Sequence, residues 1–145
     1  MGLRKASPTS LTNYEINIKI KLAALWTTLM FLYIYADYFQ LMTPGKLERM
    51  IALQTPMGPT TPGLLVIFSS ILIIPALMIG LSIFLNPRIN RWLNILVAFL
   101  YASISILILV TTTGDEWHTF YVVFNVVEIL VFGTILSQAW KWPRE

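Results

Sequence analysis

Two carboxylic acids, Asp37 and Glu128, stand inside long apolar stretches that hold no Lys or Arg. A charged side chain at the centre of a bilayer costs about 2.5–3.5 kcal/mol, so such residues tend to face a bundle interior and mark a ligand, ion or proton site. Their neighbours are polar at helical spacing. His118, Tyr121, Asn125 and Glu128 follow one another at intervals of 3, 4 and 3, and Tyr33, Asp37 and Gln40 at 4 and 3. On an α-helix these intervals put each set on one face. Two polar faces, each with a carboxylate, are expected to look at one another inside a bundle. A neutral carboxylic acid there can donate a hydrogen bond or a proton, and an ionised one can hold an amine or a metal cation. The run Tyr33-Ile34-Tyr35-Ala36-Asp37-Tyr38 adds phenolic donors, and Tyr101 is a candidate for a further wall. Asn94 lies too near the opposite end to join them.

A plainer role competes with this one. Buried polar side chains tie membrane helices together by hydrogen bonds of about 0.6 kcal/mol on average. A carboxylic acid bonded across the bundle would do no more than that, although Asn or Ser would do it at lower cost. Metal binding is not expected. His118, the sole histidine, is ten residues before Glu128, about 15 Å along a helix axis. One histidine also excludes bis-histidine haem. With no cysteine in the chain, disulfides, thiolate nucleophiles and Cys-ligated zinc or iron–sulfur centres are impossible. No P-loop, GxGxxG, HExxH or GxSxG pattern occurs. No cofactor is expected, and no motif marks the chain as an enzyme.

The elements that must carry these residues follow from composition. Of 145 residues, 57% are hydrophobic and 12% charged. A soluble domain carries about twice that charge, so a nucleic-acid binder, a disordered chain and a conventional soluble enzyme are excluded. Four segments approach or exceed the roughly 20 apolar residues a spanning helix needs: 22–42, 63–85, 93–110 and 119–140. An all-α, integral membrane four-helix bundle is predicted over residues 18–142. A polar tail is expected over 1–17 and a short one over 143–145. The first segment is too long, and ends too bulkily at Phe39-Gln40-Leu41-Met42, to be a cleaved signal. Arg4, Lys5, Lys19, Lys21, Arg88, Arg91, Lys141 and Arg144 fall on one side, and only Lys46 and Arg49 on the other. The positive-inside rule then places both termini in the cytoplasm. Trp92, Trp140 and Trp142 would mark the inner interface and Trp117 the outer one, while Trp26 suits either a belt or packing.

The first outer loop carries a second expectation. Thr43 can cap a helix with Pro44 at its first position, and Leu47, Met50, Ile51 and Gln54 recur at one-face spacing. A short amphipathic helix over 46–54 is predicted, either packed on the surface or serving as a lid. Pro75 should kink the second span, with Ser69 and Ser70 placed to satisfy the backbone groups it frees. Ala98 with Ala102, and Gly133 with Ser137, would let helices approach closely.

The runs Tyr33-Ile34-Tyr35-Ala36-Asp37-Tyr38 and Phe124-Asn125-Val126-Val127-Glu128 resemble those of an uncharacterised family of small bacterial membrane proteins, distantly similar to the DoxX-like four-helix proteins. The resemblance implies four helices in a bacterial inner membrane and carries no established activity, and no residues here match a defined redox centre. From the residues themselves, the expected function is a pocket open to the outer side that binds a small hydrophobic or amphiphilic ligand. Asp37, Glu128, Asn125, Tyr121, Tyr33, Gln40 and His118 are the candidate contacts. The alternatives are an accessory subunit of a membrane complex, a proton-coupled transporter working as a dimer, and an acid/base lipid isomerase. The expected partners are the bilayer, a hydrophobic small molecule and a second copy or larger complex, with no nucleic acid.

Overall fold

In a computed structural model, residues 15–55, 58–112, 114 and 116–142 are described. The first fourteen residues of the expected polar tail, Asp115 and the 143–145 tail lie outside them. The architecture is helical: α1 (Ile18–Gln40), α2 (Lys46–Ile51), α3 (Pro62–Phe84), α4 (Pro87–Thr112) and α5 (Thr119–Trp140). A minimal antiparallel pair, β1 (Gln54–Thr55) and β2 (Gly58–Pro59), joins α2 to α3 with Gln54 opposite Pro59. The four long helices are each long and apolar enough to cross a membrane. Their outward faces bear side chains such as Val66, Leu96, Phe99 and Leu130, which suit hydrocarbon rather than water.

Local chemistry sets the helix ends. The Asn17 side chain accepts from the Lys19 N–H at 2.9 Å, the Thr61 hydroxyl accepts from the Leu64 N–H at 3.2 Å, and Pro62 and Pro87 stand at first helical positions, where proline's missing donor is harmless. The α4 helix starts before the predicted 93–110, because Arg88 and Arg91 end the apolar run without ending the helix, and it continues to Thr112. Basic side chains close two C-termini at the same end of the bundle. Lys19 Nζ donates to the carbonyls of Leu85 (2.7 Å) and Ile83 (3.3 Å) at the end of α3. Arg91 donates to the Trp140 carbonyl at 3.4 Å and lies over the Trp92 and Trp140 rings. Both meet carbonyls that a helix leaves unpaired.

The α1 helix packs against α3 and α5, and α5 against α4, whereas α3 and α4 touch only sparsely although they are joined by a short turn. The core of Leu22, Trp26, Leu29, Met78, Val97, Ala98, Phe132 and Ile135 fills the half of the bundle near the chain termini. Trp26 is packing rather than belt: it is fully buried and meets Phe132 edge to face at 6.0 Å. Trp92 and Trp140 face outward at that end and Trp117 at the other.

Three local expectations are corrected. The short helix ends at Ile51, not Gln54, and starts after Gly45 at φ 71°, because the Thr43 hydroxyl is engaged by the Gln40 carbonyl at 2.7 Å. It buries none of its residues fully. Ser70 donates to the Val66 carbonyl (2.8 Å) rather than to a group freed by Pro75. Ala98 is buried against the bundle, but Gly133 and Ser137 face outward and bring no helix of this chain close.

Candidate functional site

The C-terminal end of α1, the N-terminal ends of α3 and α5 and the C-terminal end of α4 share one end of the bundle, and there they enclose a cavity of about 150 Å³. Tyr33, Ala36 and Asp37 line it from α1, Ile71 and Leu72 from α3, Tyr101, Ile104, Ser105 and Ile108 from α4, and Tyr121, Asn125 and Glu128 from α5. Depth follows from position on each helix. Asp37 is three residues from the end of α1, about 5 Å in, whereas Glu128 is nine residues into α5, about 14 Å in. Asp37 and Tyr121 therefore stand towards the mouth, and Glu128, Ser105 and Tyr101 towards the floor.

Five of the seven predicted residues converge on this cavity: Asp37, Glu128, Asn125, Tyr121 and Tyr33. Gln40 and His118 do not line it. Gln40 is the last residue of α1, and His118 belongs to a 3-10 turn, Glu116–His118, ahead of α5. A 3-10 turn has three residues per turn instead of 3.6, so the phase that aligns Tyr121, Asn125 and Glu128 does not extend back to His118.

The hydrogen bonding is incomplete. Ser105 donates its hydroxyl to Glu128 Oε2 at 3.0 Å, and Asn125 donates its amide to the Tyr121 carbonyl at 2.9 Å. Among the described residues, Glu128 Oε1, the Asp37 carboxylate and the Tyr33 and Tyr121 hydroxyls have no hydrogen-bond partner. Glu128 and Asn125 are nonetheless buried, at 5% and 2% exposure. Lys46, at the start of α2, is near enough to act electrostatically on Asp37. Asp37 in turn acts on Glu128 and Tyr121. Asp37 thus stands between Glu128 and a cation at the rim.

Ser105 is the contact that the two seams did not contain. It lies four residues after Tyr101, so the α4 face was readable from a residue already singled out. The other floor residue has a tertiary role. Pro75 has no N–H to give to the carbonyl four residues earlier, which is that of Ile71. The Tyr101 hydroxyl donates to that carbonyl at 2.6 Å, and so bridges α4 to α3 where they otherwise meet little.

No group of three or more His, Cys, Asp or Glu side chains with metal-binding geometry occurs among the described residues. The sequence pattern of a family of unknown function, DUF6326, matches residues 10–144, and the chain belongs to that family. No curated protein and no solved structure matches the chain.

Proposed function

We propose that this member of the family is an intramembrane binding protein, whose carboxylate-lined cavity takes the polar end of a small hydrophobic or amphiphilic ligand. One observation carries the reading: the cavity gathers Glu128, Asp37, Tyr33 and Tyr121 with hydrogen-bonding capacity left over. These oxygens open onto the cavity rather than being sealed in protein, and a polar group that an occupant covers must be paired or it costs roughly 1–3 kcal/mol. Helix association alone gives no reason to leave them open, whereas a ligand completes them.

The wider reading has both termini in the cytoplasm, because Lys19, Lys21, Arg88, Arg91 and Lys141 flank one end of the bundle and cytoplasmic ends carry the basic excess. The cavity mouth and α2 then lie on the outer side. The likeness to DoxX-like proteins favours a bacterial inner membrane, and outward-facing Gly133 and Ser137 suit a second copy or a larger partner.

The test is ligand-dependent stability in lipid nanodiscs. A panel of single-chain lipids and amines should contain members that raise the unfolding temperature. Asp37→Asn and Glu128→Gln should abolish that rise, and Gln40→Ala, outside the cavity, should retain it. Absence of any such shift across the panel, or shifts unaltered in both carboxylate variants, refutes the reading.

A further inference from the structure

We propose that the ligand is a cationic single-chain amphiphile, held by its ammonium head in the cavity while its tail leaves between α3 and α4 into the bilayer. This rests on the cavity's being a binding site, and it names the ligand class and the route.

Size sets the first limit. A cavity of about 150 Å³ holds a group of about the bulk of benzene, which admits a head group and excludes a sterol or a whole acyl chain. Charge sets the second. The lining has two carboxylates and no Lys or Arg. An anionic head would meet like charges, and an uncharged one would leave buried Glu128 without a counter-charge in an apolar setting, since Lys46 stands at the rim beside Asp37. An ammonium supplies what is missing. Glu128 is 95% removed from solvent, with one oxygen on Ser105 and the other accepting from no described residue. The rings of Tyr33, Tyr101 and Tyr121 line the same space, and aromatic faces attract alkylammonium groups.

The route follows from which wall is incomplete. Ile71, Leu72 and Ile104 line the cavity from α3 and α4 and are 44%, 41% and 39% exposed. These two helices pack on α1 and α5 rather than on each other. At the level of the cavity floor they are joined by the Tyr101 to Ile71 hydrogen bond. The head can then sit among polar groups while the tail lies along isoleucine and leucine side chains, in contact with hydrocarbon throughout.

The full chain in zwitterionic nanodiscs, with empty discs subtracted, should bind radiolabelled dodecyltrimethylammonium saturably at one site. Glu128→Gln should weaken it at least tenfold and Asp37→Asn at least threefold, both with the circular-dichroism spectrum of the parent. Ile104→Trp, at the slot, should slow association. Unlabelled dodecylamine should compete, and dodecanol and dodecyl sulfate should not. If dodecanol competes as well as dodecylamine and its competition is lost in Glu128→Gln, the cationic assignment is overturned while the binding site stands. If neither cation nor alcohol binds above empty discs, the assignment and the site both fall.

Discussion

The two halves of this bundle both bury polar side chains, and they treat them differently. Near the termini, the Trp26 indole donates to Asn94 Oδ1 (2.7 Å), and the Asn94 amide donates to the Asn90 carbonyl (2.9 Å) and Oδ1 (2.6 Å). The Asn90 amide then donates to the Ser82 carbonyl (2.6 Å), and the Ser82 hydroxyl to Asn94 Oδ1 (3.4 Å). The four side chains are 0% exposed and tie α1, α3 and α4 together. In the other half, carboxylates and phenols surround a cavity and leave hydrogen-bonding capacity over. Helix adhesion in the half near the termini is made of amides, a hydroxyl and an indole whose bonds close on one another. The acids are kept for the half that stays open.

If that contrast is right, substitutions should separate stability from binding. The largest stability loss is expected from Asn94→Leu, which strands the Trp26 N–H and the Asn90 amide oxygen. Unfolding in mixed micelles should show a loss of about 2–3 kcal/mol with the cavity's binding intact in the protein that remains folded. Tyr101→Phe should follow at about 1 kcal/mol, because the Ile71 carbonyl loses its donor. Pro75→Ala restores a backbone N–H for that carbonyl, so the same Tyr101→Phe change should cost less in the Pro75→Ala background. A double-mutant cycle reads this directly, and equal costs in the two backgrounds would show that the proline and the tyrosine are not coupled. Lys19→Met, which leaves two carbonyls of α3 to solvent, should cost about 0.5 kcal/mol. Smallest should be the effect of Glu128→Gln, within about 0.5 kcal/mol of the parent, since the amide oxygen can still accept from Ser105. A loss as large as that of Asn94→Leu would place Glu128 with the adhesive residues.

Much of this is legible in the sequence. Long apolar runs locate all four long helices, and the 4 and 3 spacing on α5 finds Tyr121, Asn125 and Glu128 because a regular helix preserves phase. Spacing failed where regularity stopped, at Gln40 on the last residue of α1 and at His118 in a 3-10 turn. It was also blind to α3, whose contribution to the cavity is two apolar side chains and one carbonyl. Nothing in the α3 sequence says that Ile71 should meet a tyrosine thirty residues later. Proline identifies the freed carbonyl, and only the packing identifies its partner. Asn94 stands apart from the carboxylates, as its place near the opposite end predicts, but its bond to Trp26 joins residues 68 apart, a distance no local pattern spans.

Because the chain has no cysteine, single cysteines can compare the two halves in an otherwise silent background. Ser105 and Ser82 are both buried hydroxyls on membrane helices, at 3% and 0% exposure, one on the cavity and one in the closed network. The expected result is that Ser105→Cys in nanodiscs reacts with aminoethyl methanethiosulfonate, is protected by dodecyltrimethylammonium, and that Ser82→Cys stays unmodified in the folded protein. Equal reactivity of the two cysteines, or an inert Ser105→Cys in protein shown to be folded, would contradict the division into a sealed half and an open one.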